Sequence, residues 1–134
     1  SLCPLDSDGV PIRRAILYRD NRAILQANRL IERFNWNFTL QDVVPKLLWL
    51  KENEPENYNR IAAVLNAHSY IAYKLTGNYS ADIDIAAIFG EVYDDKANRW
   101  MTERMVAMGL NPDVLPPLYR PTDVVGTVTA AASS

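Results

Sequence analysis

Apolar residues recur along this chain with two different periods, and each period marks a different kind of element. From Asn21 to Phe34, Ala23, Ala27, Leu30, Ile31 and Phe34 fall on one face with Ile24 beside them. Arg22, Gln26, Arg29 and Arg33 look outward, which predicts an amphipathic helix. Thr39-Leu40-Gln41-Asp42 reads as a capping box ahead of a second helix, with Pro45 in its first turn and Lys46 to Asn53 completing it. That helix stops where Glu54 precedes Pro55. Pro55 opens a third helix, whose buried stripe is Tyr58, Ile61, Ala62 and Leu65. A fourth, about Ser69 to Leu75, ends at Gly77, and a last one, Thr102 to Met108, carries Met101, Met105 and Met108 on one face and closes at Gly109.

The period of two is scarcer. Tyr79, Ala81, Ile83 and Ile85 alternate with Ser80, Asp82 and Asp84, an extended stretch. Ile88 to Tyr93 is a second candidate, and Val124 to Thr129 is strand-like. Asp6-Ser7-Asp8-Gly9 is a turn signal that predicts a hairpin. Its downstream arm, Pro11 to Tyr18, includes Ala15-Ile16-Leu17-Tyr18; upstream stand only Leu2, Cys3, Pro4 and Leu5. The strands lack partners. The pattern therefore predicts a mainly helical α+β fragment with an incomplete sheet, beginning in the middle of a supersecondary unit.

Length and composition narrow the function. The 134 residues suffice for one domain, and 49% apolar with 22% charged residues is ordinary for a soluble globular chain. A net charge of -2 with scattered basic residues argues against nucleic acid and anionic membranes as partners. No apolar run reaches the roughly 18 residues of a spanning helix. Cys3, the single cysteine, excludes an internal disulfide and a cysteine-based zinc site, and cytoplasm is the expected compartment. His68, the single histidine, excludes a histidine-rich metal site and reads as a helix-entry or packing residue. Asp82 and Asp84 invite a calcium-loop reading, which fails because Ala86 and Ala87 stand where an oxygen ligand and glycine are required. The five glycines form no phosphate-cradling loop.

One polar cluster stands out, Arg19-Asp20-Asn21-Arg22, which interrupts the apolar run after Tyr18. Asp20 or Asn21 as N-cap of the following helix explains it adequately. The alternative is a ligand-facing strand end, with Asp20 and Asn21 suited to hydroxyls and Tyr18 offering a flat face to a sugar.

Several stretches, read in order, bear on that choice. Leu5-Asp6-Ser7-Asp8-Gly9 with Ala15-Ile16-Leu17-Tyr18-Arg19-Asp20-Asn21-Arg22-Ala23 resembles the DxxGxPLxPAILWxDxRA region of the FGGY carbohydrate kinases. Pro45 to Glu56, PKLLWLKENEPE, is similar to that family's PKLLWLxxxEPE, and YIAYKLTGNY from Tyr70 to Tyr79 to its YLxYxLTGEY. Leu115-Pro116-Pro117 with Val125-Gly126-Thr127-Val128 matches a further segment. The resemblance covers roughly residues 5 to 129, and xylulokinase-like members are the nearest look-alikes.

The resemblance implies a ribonuclease-H-like domain of the actin and hexokinase superfamily, of which residues 1–134 would be a single piece of the N-terminal, sugar-binding half. The nucleotide-binding C-terminal domain and the general-base aspartate would lie outside this chain, which would hold no catalytic residue and no metal. The parent protein would use ATP and Mg²⁺ to phosphorylate a sugar or polyol, most simply a ketopentose such as xylulose. Tyr18, Asp20 and Gln41 would contact that substrate. Tyr18 stands where the family usually has Trp, and Arg19 where a smaller residue or Asn is common, so the sugar's identity is open. The 134 residues alone are expected to be inactive, to bind no cofactor, and to self-associate through surface and strand edges near Ile16 and Val125. The alternatives are a sugar-binding domain without transfer chemistry, a helical interaction module and a kinase-like regulator.

Overall fold

The computed structural model describes residues 1–133 of the chain. Strand β1 (Cys3–Leu5) enters a turn in which the Asp6 N–H donates to the Val10 carbonyl (2.9 Å) and the Asp6 carboxylate accepts from the Asp8 and Val10 amides. The return arm touches the first at two antiparallel bridges, Leu5 with Pro11 and Leu2 with Ile16. Helix α1 (Ile24–Phe34) ends at Asn35, in the left-handed region with φ 56°. Helix α2 (Val43–Asn53) has Pro45 in its first turn, and α3 (Pro55–Asn59) starts on its proline. Strand β2 (Ala63–Leu65) then pairs antiparallel with β1, Cys3 opposite Leu65, Pro4 opposite Val64 and Leu5 opposite Ala63.

Asn66 caps α4 (Ala67–Thr76) by accepting the Ser69 N–H at 2.7 Å, and Gly77 closes it. Strand β3 (Ala81–Asp82) precedes a 3-10 turn, Ala86–Phe89. Strands β4 (Tyr93–Asp94) and β5 (Arg99–Trp100) form a hairpin whose turn is held by the Asp94 carboxylate on the Lys96 and Ala97 amides. After α5 (Thr102–Ala107), strand β6 (Leu118–Tyr119) pairs parallel with β3, and α6 spans Ala130–Ser133. Among the described residues the sheet consists of three two-stranded ladders, β1–β2, β3–β6 and β4–β5.

The main core forms around α2, where Val43, Val44, Leu47 and Leu50 pack with Leu2, Ile16, Ala27, Leu30, Phe38, Val64, Phe89, Val92 and Met105. A smaller cluster joins Leu5, Ala63 and Leu65 to Tyr70, Tyr73 and Tyr79.

Several expectations change. Leu65 belongs to a buried strand and not to a helical stripe; a short apolar run is compatible with either, and pairing with β1 decides it. Ile88 lies in the 3-10 turn, so 88–93 is not one strand. Residues 124–129 form no strand. Helix α1 begins at Ile24 with Ala23 as N-cap and no side-chain cap bond, so neither Asp20 nor Asn21 caps it. The strand edges expected near Ile16 and Val125 also take another form. Ile16 is buried in its bridge to Leu2, and the Val125 carbonyl accepts the Asn78 side-chain amide at 3.0 Å.

Gly90 makes the tightest backbone approach near the helix-α2 entrance. Its φ of 101° and ψ of -155° lie in a region open almost only to glycine, and an added Cβ would stand 2.7 Å from the Phe38 ring. At Gly77 (φ 75°), by contrast, a Cβ would meet only the Thr129 methyl at 3.9 Å. Gly90→Ala should therefore cost about 3 kcal/mol in urea unfolding and Gly77→Ala only about 1 kcal/mol. Equal costs would show that the Phe38 contact yields freely.

Candidate functional site

The bridge between Leu2 and Ile16, with N–H to O distances of 2.8 and 2.9 Å, fixes the chain just before Tyr18. A turn follows, closed by the Asp20 N–H on the Leu17 carbonyl at 3.0 Å, and it leaves the Tyr18 side chain exposed. Gln41 arrives from the other direction, in the turn that precedes α2, where the Asp42 N–H donates to the Thr39 carbonyl and the Thr39 N–H to the Asp42 carboxylate (2.8 Å). This is one arm of the expected capping box; the helix itself begins only at Val43.

Tyr18 and Gln41 meet at one concavity of about 340 Å³, with Thr39, Asp42, Ala87 and Ile88 as its other walls. It adjoins a second hollow of about 360 Å³ that shares Thr39, Asp42 and Ala87 and adds Asn37, Glu91, Tyr93 and Asp95. The shared walls make one groove between the entrance of α2 and the 3-10 turn. A further hollow of about 380 Å³ lies between α1 and α2, over Leu30, Phe34, Leu48 and Met108. None of the residues expected to bind ligand lines it, and its three cations are engaged, Arg29 with Glu52, Lys51 with the Gly109 carbonyl and Arg33 over the Phe34 ring.

Asp20 stands beside the groove but is not one of its walls. Its carboxylate takes a two-pronged bond from the Arg22 guanidinium, Nε at 2.9 Å and Nη2 at 2.7 Å, and also the Arg22 N–H at 2.9 Å. Arg22 in turn lies over the Trp49 ring, 4.9 Å from its centroid, so this turn is fastened to α2.

Two groups that the sequence pattern gave no role complete the site. The Asp42 carboxyl faces both hollows, and burial raises its pKa, against the pull of its bond from the Thr39 N–H and the Lys46 charge. Lys46 is fully buried; its ammonium donates to the Tyr18 carbonyl at 3.3 Å and the Gln41 carbonyl at 3.2 Å, and burial lowers its pKa. The signal for Lys46 was present, a lone charge in Val43-Val44-Pro45-Lys46-Leu47-Leu48-Trp49-Leu50. Asp42 carried none beyond its place before a helix.

Among the described residues no glycine is the N-cap of a helix of five residues or more, those caps being Ala23, Asp42, Glu54, Asn66 and Met101. No group of three or more His, Cys, Asp or Glu side chains among them could hold a metal ion. What the groove offers is an exposed aromatic face with amide and carboxylate groups beside it, a combination suited to a polyhydroxylated ligand.

The Arg22 fork, together with backbone donation, holds the Asp20 carboxyl at about 2, below the ordinary value near 3.9. Because the folded value is depressed, the stability this bond contributes is complete above about pH 4 and lost as pH falls through about 2. A carboxyl-carbon NMR titration should place Asp20 near 2 and return it toward about 4 in Arg22→Gln. A wild-type midpoint near 4 would show that the fork does not persist in solution.

Comparison with known proteins bears on what this groove belongs to. The chain is 32% identical to a xylulose kinase of Staphylococcus xylosus, over 96% of its own length and 28% of that relative's. It is 35% identical to a xylulose kinase of Streptomyces rubiginosus, over 95% and 28%. In structure it matches the xylulose kinase of Rhodospirillum rubrum with a TM-score of 0.88 and 27% identity, over 98% of this chain and 29% of that one. The chain thus spans little more than a quarter of the relatives it matches. The N-terminal domain of the FGGY family of carbohydrate kinases matches residues 1–134, and the chain belongs to that family.

Proposed function

We propose that the protein containing this domain transfers the γ-phosphoryl group of ATP to a hydroxyl of a sugar, most simply a ketopentose such as xylulose, and that this domain supplies part of the sugar's binding wall. The observation that carries the reading is the meeting of Tyr18 and Gln41, distant in sequence, at one concavity beside Asp42. Tyr18 would stack on the sugar's C–H face, while Gln41 would hold a hydroxyl through its amide. Asp20, already engaged by Arg22, would reach a hydroxyl only by exchanging that partner, so its share in binding is the smaller.

In the transfer, the sugar oxygen bonds to the γ-phosphorus as the bond to ADP breaks, and the hydroxyl proton passes to a carboxylate base. Mg²⁺, held by groups outside these 134 residues, would neutralise the phosphate oxygens. The base and the nucleotide-binding groups would come from outside these 134 residues. The isolated chain is accordingly proposed to be inactive, and to self-associate through exposed side chains such as Leu17 and Leu25.

The test is phosphoryl transfer by the full-length protein, with ATP, Mg²⁺ and a panel of ketopentoses, aldoses and polyols. Turnover on one ketopentose is expected. Tyr18→Ala and Gln41→Ala should each raise the KM for sugar about tenfold, the loss of one polar or stacking contact, and leave the KM for ATP unchanged. Asp20→Ala should change it less. Sugar binding without turnover would identify a non-catalytic sugar-binding protein, and neither binding nor turnover would sink the reading.

A further inference from the structure

Lys46 is fully buried, at 0% exposure. A cation withdrawn from water needs compensation, and the usual source is a carboxylate in contact. Lys46 has none: among the described residues it makes no ion pair, and Asp20 and Asp42 act on it only at longer range. Its hydrogen-bond acceptors are two backbone carbonyls, at 3.3 and 3.2 Å, longer than the tightest charge-assisted bonds. Stability alone would be served as well by an apolar side chain of the same length, since such replacements of buried charge are often neutral or favourable.

The identity of the two acceptors supplies another reason for a lysine. One carbonyl belongs to Tyr18 and the other to Gln41, whose side chains line the same concavity. They come from separate turns, and no backbone–backbone hydrogen bond joins those two residues. We propose that Lys46 is a positioning residue for sugar binding: from behind the wall, its ammonium ties the Tyr18 turn to the Gln41 turn and so sets the spacing of the two side chains in front. Being fully buried, it touches no ligand itself. This rests on the kinase reading above.

The experiment uses the full-length protein and compares wild type with Lys46→Met, which keeps an unbranched stem in place of the lysine's and removes the ammonium donors. The KM for sugar should rise about tenfold, while the KM for ATP, and kcat at saturating sugar, stay within about twofold. The same substitution in a Tyr18→Ala/Gln41→Ala background should then add nothing, because the side chains it positions are gone. An unchanged sugar KM would overturn the proposal. So would a loss shared equally by sugar KM, ATP KM and kcat, or one that persists undiminished in the double-alanine background, since each describes a residue that serves the fold. Lys46→Gln, which retains amide donors, is the second variant; if neither variant unfolds cooperatively, the lysine holds the fold and the proposal falls. A wild-type protein that phosphorylates no sugar removes the kinase reading and this proposal with it. A wild type that turns over normally beside an unaffected Lys46→Met removes this proposal alone.

Discussion

Helix α2 is enclosed on every side over its first half, and the need to cover it determines where the neighbouring elements lie. Its first five residues, Val43 to Leu47, are all buried, as is Leu50. A segment buried around its whole circumference needs a neighbour on every side, and each large apolar side chain uncovered would forfeit about 1.5–3 kcal/mol. Helix α1 covers one side with Ala27 and Leu30, the 3-10 turn brings Phe89, and β2 brings Val64. Met105 from α5 closes the remainder. Strand β2 is only three residues long and the 3-10 turn four, too short to hold their shape without the helix beneath them.

The same helix organises the groove. Tyr18, Gln41 and Asp42 all sit in turns, whose backbones have few ladder bonds to hold them. Each turn is instead fastened to α2, Arg22 over Trp49 for the first and Lys46 on two carbonyls for both. Across the groove, Gly90 lets the end of the 3-10 turn settle against Phe38 and within 3.2 Å of the Asp42 carboxylate, measured from where a Cβ would stand. Loops hung on a rigid scaffold in this way are the ordinary location of binding residues.

Features governed by local backbone chemistry were legible in the sequence. Pro45 and Pro55 marked the first turns of α2 and α3, and Gly77 and Gly109 followed the ends of α4 and α5. Features decided by distant partners were not. Ala63-Val64-Leu65 is a strand because β1 lies beside it, and Val124 to Thr129 is none because no strand does. Gln26, assigned to the outer face, is buried because Glu52 accepts its amide at 2.8 Å. Of the site, Tyr18 and Gln41 were reached through resemblance, and their shared concavity became visible only in three dimensions. The Arg22 fork on Asp20 could not be read from spacing, since residues two apart face each other only when the backbone turns between them.

The pairing of Cys3 with Leu65 has a consequence for how the chain is made. Strand β1 is synthesised well before its partner, and α1, α2 and α3 all lie in the loop between them. At about 5–20 residues per second, roughly 3–12 s separate the emergence of the two strands during translation. Through that interval β1 lacks the partner that β2 later supplies, so the edge of β1 that faces β2 stays open until Ala63–Leu65 have emerged.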